Sequence, residues 1–420
     1  MSDRCPMPEL FTGAFAADPY PAYAWLREHA PVHRTVLPSG VEAWLVTRYA
    51  DARQALADPR LSKNPRHYGG AADGRQKVGI PGERSANLMT HLLNIDPPDH
   101  TRLRRLVSKA FTPRRVAAFG PRVQELTDRL IDGFAARGSA DLIHEFAFPL
   151  PIYAICDMLG VPREDQDDFR AWAGIMVRRG GGVGRSVKRM RGYLAELIHR
   201  KRGDLGTDLI SGLIRASDHG EHLTENEAAA MAFILLFAGF ETTVNLIGNG
   251  VYNLLRHPEQ RRRLQRSLAE GDEELLATAV EELLRYDGPV EMATWRFATE
   301  PLTLGGQRIA VGDPVLVVLA AADRDPRRFA EPDVLDLGRS DNAHLGYGHG
   351  IHYCLGAPLA RLETRTALAT LLRRLPDLEL AATPGELRWR GGLIMRGLRE
   401  LPVTFTPVPS VTPRQSVIGA

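Results

Sequence analysis

Cysteine is scarce in this chain, with three in 420 residues, at positions 5, 156 and 354. An odd number spaced so widely excludes a disulfide framework and points to a reducing compartment. Lysine is nearly as rare: Lys63, Lys77, Lys109, Lys188 and Lys201 are the only ones, and arginine carries almost all the positive charge. The net charge of +2 removes any global electrostatic case for nucleic acid. No basic segment followed by an apolar one opens the chain, and its longest apolar stretch, Ala228 to Gly239, is too short to cross a bilayer. A cytoplasmic protein with no membrane association is expected. The chain also lacks a dinucleotide-binding glycine signature, an internal repeat and a linker long enough to separate domains. Residues 1–420 are therefore read as one domain, with a Pro- and Ser-rich tail after Thr406 expected to be disordered.

What is present is helical periodicity. Apolar residues at three and four spacing predict helices over 121–137, 164–179, 186–202, 224–256, 273–286 and 358–375. Strand-like pieces are short, at 32–36, 43–46, 296–299, 307–309, 314–319 and 401–405. The fold class is mainly α with small β-sheets.

Cys156, among Ile155, Met158 and Leu159, reads as a helix-core residue. Cys354 differs, because a glycine-built turn presents it at the start of the helix that begins near Ala357. Unpaired backbone N–H groups and the positive end of the helix dipole converge there and favour the thiolate, as a metal ligand requires. Gly348, Gly350 and Gly356 can adopt positive φ and let backbone approach a flat porphyrin. The run Tyr347-Gly348-His349-Gly350-Ile351-His352-Tyr353-Cys354-Leu355-Gly356 resembles the cysteine-ligand loop of the cytochrome P450 family: aromatic, Gly, any, Gly, any, His or Arg, any, Cys, any, Gly. Tyr347 departs from the usual Phe, and its hydroxyl either donates to the sulfur or points away.

A second block reinforces the first. Thr224 and Glu227 form a capping-box sequence ahead of a helix that is almost wholly apolar to Phe240, and hence buried. Into it the sequence places Gly239, which weakens a helix, and Glu241, a carboxylate that is costly to bury. Two penalties so close together suggest a site, although Thr242 can also simply bond back to the carbonyl of Ala238. The block from Ala238 to Thr243 resembles the family's oxygen-activation segment. The resemblance implies that Ala238 and Gly239 open a groove for dioxygen and that Thr242 and Glu241 govern protonation.

Glu282 and Arg285 share a helix face. They are similar to the family's buried Glu-x-x-Arg pair, with Arg339 or His344 as a possible third member and a structural role. His100 and Arg104, one helical turn apart, match together with Arg296 and His352 the family's usual contacts to the haem propionates. Leu88, Met89 and Leu92, Phe233 and Phe237 on the long helix, Val290, Met292 and Ala293, and Ile394 with Met395 are expected to line an apolar substrate pocket. Gly180, Gly181 and Gly182 separate two helices that form a lid in this family.

The resemblance covers residues 15 to 405 and is strongest to soluble bacterial members. It implies a triangular, prism-like helical body with one haem b between the long central helix and the cysteine-bearing helix. It further implies dioxygen as co-substrate, and electrons from a separate ferredoxin or flavodoxin with an NAD(P)H-dependent reductase. Arg102, Arg105, Lys109, Arg114 and Arg361 are candidates to receive that carrier. The expected activity is haem-thiolate monooxygenation, hydroxylating or epoxidising a hydrophobic metabolite such as a macrolide or other polyketide. Two alternatives stand beside it. One keeps the haem without oxygenation, as a gas sensor, isomerase or dehydratase; the other uses His344, His349, His352 and Cys354 as a zinc site.

Overall fold

In the computed structural model, residues 7–68, 91–178, 182–218 and 221–409 are described. Leu88, Met89, Gly180, Gly181 and Cys5 lie outside them. The chain runs through α1 (Gly13–Ala17), α2 (Tyr20–His29), α3 (Tyr49–Ala57), α4 (Asp99–Ala110), α5 (Pro113–Ala118), α6 (Gly120–Ala135), α7 (Pro149–Leu159) and α8 (Gln166–Arg178). It continues through α9 (Val183–Gly203), α10 (Leu209–Arg215), α11 (Glu225–Arg256), α12 (Pro258–Glu270), α13 (Glu274–Asp287), α14 (Leu319–Ala322) and α15 (Ala357–Arg374). All six helices read from periodicity are present, with ends within about three residues of those expected.

The strands are β1 (Val32–Val36), β2 (Glu42–Val46), β3 (Leu61–Ser62), β4 (Ser139–Asp141), β5 (Ser217–Asp218), β6 (Glu221–His222), β7 (Arg296–Ala298), β8 (Leu302–Leu304), β9 (Gln307–Ile309), β10 (Pro314–Val317), β11 (Glu379–Leu380) and β12 (Pro402–Thr404). The largest sheet has the order β1-β2-β10-β7-β3. Its one parallel pairing, β2 with β10, sets Trp44 opposite Val315 and Val46 opposite Val317. The antiparallel pair β7 and β3 sets Phe297 opposite Ser62, which brings Lys63 beside the segment leading into Arg296.

The long helix α11 begins at the anticipated capping box: the Glu227 amide donates to Thr224 Oγ1 at 3.2 Å, and the Thr224 amide to Glu227 Oε2 at 2.9 Å. It packs against α7, α9, α13 and α15. Contrary to what the Ala228 to Gly239 run suggests, the whole helix is long and apolar enough to span a membrane, but 67% of its most apolar window is buried inside the protein. A lipid-facing helix would show the reverse, so α11 is a core helix. Of the tail after Thr406, only residues 407–409 are described, and there the Val408 amide donates to the Ala135 carbonyl.

Candidate functional site

The loop before α15 is a tight backbone turn. The Gly348 amide donates to the Leu345 carbonyl (2.6 Å), the Tyr353 amide to Gly350 (3.0 Å) and the Cys354 amide to Tyr347 (2.9 Å). Gly348 and Gly350 take positive φ, as anticipated, and a Cβ on Gly350 would sit 3.2 Å from the Leu56 carbonyl oxygen. Gly356 does not: its φ is −81°, and it caps α15. Its role is instead to offer its amide, with that of Ala357, to the Cys354 sulfur.

Cys354 is exposed, yet Ala357 just beyond it is fully buried. Protein crowds around it closely enough that burial pushes its thiol up, against the two amides, Arg104 and Arg361, which pull it down. Both facts hold together if the sulfur faces an internal slot. The helix terminus therefore does not secure the thiolate alone, and a bound metal must complete the deprotonation. Cys156 is buried inside the helical core, as expected.

On α11, the helix expected to face the cysteine, a short accessible strip interrupts the buried surface. Ala238 is exposed and Thr242 half-exposed, although Leu236 and Phe240 beside them are buried. Thr242 Oγ1 donates to the Ala238 carbonyl at 2.8 Å and Thr243 Oγ1 to the Gly239 carbonyl at 3.1 Å, so both threonines bond back along the helix. Glu241 is buried. Gly239 does not open the groove: a Cβ there would point to Ile155 of α7 at 3.6 Å. Phe233 and Phe237 stack with ring planes parallel and centroids 6.3 Å apart.

Whether these residues suit a haem is tested by the charge around the slot. His100 and His352 lie with ring centroids 4.3 Å apart, Arg104 donates to the Tyr353 carbonyl at 2.8 Å, and Arg296 is almost fully buried. Lys63, 2% exposed, joins them and donates to the carbonyls of Thr294 and Trp295. Burial and the positive charges of His100, Lys63 and Arg296 hold His352 at about 2, while burial brings Arg296 to about 10 and lowers Lys63 well below its ordinary value. His100 Nε2 and Arg296 Nε are buried without a hydrogen-bond partner. Asp96, which accepts the Lys63 amide at 2.8 Å, is the acid that acts on this group, and one carboxylate does not balance it. Two further carboxylates, as haem propionates supply, fit the excess. Sequence reasoning missed Lys63 and Asp96; the rarity of lysine in so arginine-rich a chain was the available signal.

Behind the loop, Glu282 and Arg285 are completely buried and bond bidentately at 2.7 and 2.8 Å. Arg339 is the third member, its Nε donating to Glu282 Oε2 at 3.0 Å. His344 is not, because its Nε2 faces Glu281 at 3.1 Å, and Glu281 also takes a bidentate pair of bonds from Arg361 at 2.7 and 2.8 Å. Arg361 and Arg102, the latter bonded to Glu227, are thus engaged within the chain. The Tyr347 hydroxyl has no partner and makes no bond to Cys354; its ring packs under the Arg361 guanidinium, 4.5 Å from the centroid.

Burial alone would raise the Glu281 carboxyl, but the bonds from Arg361 and His344 outweigh it and hold the group at about 2, below its ordinary 4.5. A carboxyl depressed in the folded state stabilises fully above its unfolded value and loses that contribution as pH falls from there toward the folded one. The linkage amounts to at most about 3 kcal/mol. Glu281→Gln should therefore flatten the acid limb of stability in urea titrations across that window, and wild-type acid sensitivity in the variant would contradict the assignment.

The expected pocket residues divide. Val290, Ala293, Ile394, Met395 and Phe237 are partly exposed inside the protein, whereas Leu92 and Phe233 are nearly closed off. Met292 is 1% exposed and belongs to the core with Phe15, Tyr23 and Trp295, so it faces away from the slot. The zinc alternative finds no ligand set: among the described residues, no three His, Cys, Asp or Glu side chains are gathered as a metal site needs.

Known proteins match this arrangement. The family description "Cytochrome P450" covers residues 151–380. The chain is 50% identical over 396 residues to cytochrome P450 monooxygenase PikC of Streptomyces venezuelae, covering 93% of this chain and 92% of that one. It is 41% identical to 6-deoxyerythronolide B hydroxylase of Saccharopolyspora erythraea, covering 94% and 98%. The solved structure of the Bacillus subtilis bacillaene polyketide synthase cytochrome P450 PksS superposes with a TM-score of 0.86 at 38% identity, covering 95% of this chain and all of that one. The cysteine turn, the slot and the unbalanced cations thus have a common explanation: the chain belongs to the cytochrome P450 family and is a haem-thiolate monooxygenase.

Proposed function

We propose that the protein hydroxylates or epoxidises a medium-to-large hydrophobic secondary metabolite, a macrolide or other polyketide, in the cytoplasm. The observation that carries this reading is the accessible Cys354 sulfur, held in an amide-lined turn beside a group of buried cations that one carboxylate does not balance. Cys354 would bind the iron of haem b through its thiolate, and His100, Arg104, Arg296 and His352, joined by Lys63, would hold the propionates. When bound, the haem supplies reductive activation of dioxygen, with thiolate ligation favouring O–O cleavage.

The chain's own residues do the rest. Thr242 Oγ1 lines the slot, and the buried Glu241 carboxyl next to it moves protons inward. Val290, Ala293, Ile394 and Met395 exclude water and orient an apolar substrate. A relative named for hydroxylating 6-deoxyerythronolide B and a structural neighbour titled for a polyketide synthase support the substrate class. The family takes electrons from redox partners. Here the donor is a ferredoxin or flavodoxin with its NAD(P)H-dependent reductase. The Glu241-Thr242 pair favours oxygenation over a sensing or isomerising role.

Dioxygen uptake measured against product, with a panel of polyketide lactones, tests the reading. One dioxygen consumed per hydroxylated or epoxidised product is expected. Thr242→Ala should keep its haem and its ligand-binding spectra while hydrogen peroxide accumulates at the expense of product. Conversion of substrate without dioxygen uptake would overturn the proposal.

A further inference from the structure

The segment from Pro289 to Ala293 has no regular secondary structure, presents the partly exposed Val290 and Ala293, and leads directly to the carbonyls that hold Lys63. Its backbone is tied to the C-terminal segment. The Glu291 amide donates to the Ile394 carbonyl at 2.8 Å, the Arg396 amide to the Pro289 carbonyl at 2.9 Å, and Val290 bridges Met395. These two segments carry the partly exposed Val290, Ala293, Ile394 and Met395, the residues expected to line the ligand pocket.

Between Val290 and Met292 the sequence places a carboxyl that is 6% exposed, Glu291, in an apolar core that includes Phe15, Leu26, Met292 and Trp295. A buried carboxyl destabilises unless it is bonded, and an apolar side chain would pack there at less expense. Its hydrogen-bond partner is the hydroxyl of Tyr23, a fully buried residue of α2 whose ring stands edge-on to Phe15 at 5.4 Å. The nearby cation is committed elsewhere: Arg396 donates from Nε to Asp287 (2.7 Å), from Nη1 to the Ala16 carbonyl (2.9 Å) and from Nη2 to Ala17 (3.2 Å). Asp287 in turn accepts from Tyr20 at 2.6 Å and from Asn253 at 3.1 Å. Glu291 therefore depends on Tyr23, and burial, only partly offset by that bond, pushes its carboxyl up to about 7.

We propose that Tyr23 and Glu291 form a positioning pair that anchors the 289–293 segment to α2 and so determines how bulky a ligand the pocket admits. The inference rests on the haem-thiolate reading of the slot. The test uses the haem-loaded protein and two iron-binding probes of different size, imidazole and phenylimidazole, followed by the shift of the Soret band. Tyr23→Phe, which removes one oxygen from a rigid ring, and Glu291→Leu, which keeps packing but not the bond, should each weaken phenylimidazole by about tenfold and leave imidazole within about twofold. Glu291→Gln, which retains a partner for Tyr23, should restore wild-type discrimination between the probes. Haem content and thermal midpoint identify any variant that does not fold, in which case the remaining two decide. Equal changes for both probes, or none for either, would overturn the proposal. A wild-type protein whose spectrum does not respond to imidazole would instead overturn the haem reading itself.

Discussion

Replacing Cys354 with alanine is expected to abolish the long-wavelength Soret band that thiolate ligation gives the reduced, carbon monoxide-bound haem. The loss should be complete, because the ligand atom itself is removed. The fold should survive, since the side chain faces the slot and not the packed core. Circular dichroism would be unchanged while the band disappears. Persistence of the band in the variant would remove Cys354 from the ligand role. Because burial favours the neutral thiol over the two amides that would stabilise its anion, loading haem into the haem-free protein should also release a proton and be favoured by rising pH.

The second large effect concerns residues that touch no ligand. Glu282 accepts, besides Arg285, the Asp336 amide at 3.0 Å, Arg339 at 3.0 Å and Asn342 at 3.2 Å. Arg285 donates to the carbonyls of Asp323 (2.9 Å), Pro332 (2.8 Å) and Val334 (3.3 Å). Together they organise the irregular stretch that delivers the chain to the cysteine turn, where the Leu345 amide is held by Asp323 at 2.6 Å. Both side chains are fully buried: without Glu282, Arg285 and Arg339 lose their shared carboxylate, and without Arg285, Glu282 keeps Arg339 alone as a cation, and breaking such a buried pair costs about 3–5 kcal/mol. That is a large fraction of the roughly 5–15 kcal/mol by which a domain is stable. Glu282→Ala and Arg285→Ala should each yield protein that retains little haem and unfolds at far lower urea. Joint replacement by apolar residues should not rescue it, because the Asp323 and Pro332 carbonyls would lose the donor Arg285 provides and Arg339 would lose its carboxylate; the Val334 carbonyl keeps Arg339. A single variant within about 0.5 kcal/mol of wild type would show that the segment stands without the pair.

Much of this site is legible because its signals are local. The capping box of α11, the three-residue spacing of Glu282 and Arg285, and the positive φ of Gly348 and Gly350 follow from neighbours within a turn or two. Other readings failed where direction in space mattered. Met292 shares its apolar character with Val290 and Ala293, but the segment turns this side chain into the N-terminal core while leaving its neighbours partly exposed. His344 is close enough in sequence to the Glu282 network to belong to it, yet its ring turns to Glu281.

By itself, then, the sequence determined the helical class, the cysteine turn and the pairing of acid and alcohol on the long helix, since each is encoded in spacing along a few turns of chain. Tertiary structure alone decided that Lys63 joins the cations of the slot, through carbonyls 231 residues away, and that Tyr23 holds Glu291 across 268 residues. Contacts at such separations leave no mark in local spacing: they arise when packing excludes water from both partners, and a lone buried charge or hydroxyl must then take whichever group the fold brings within reach.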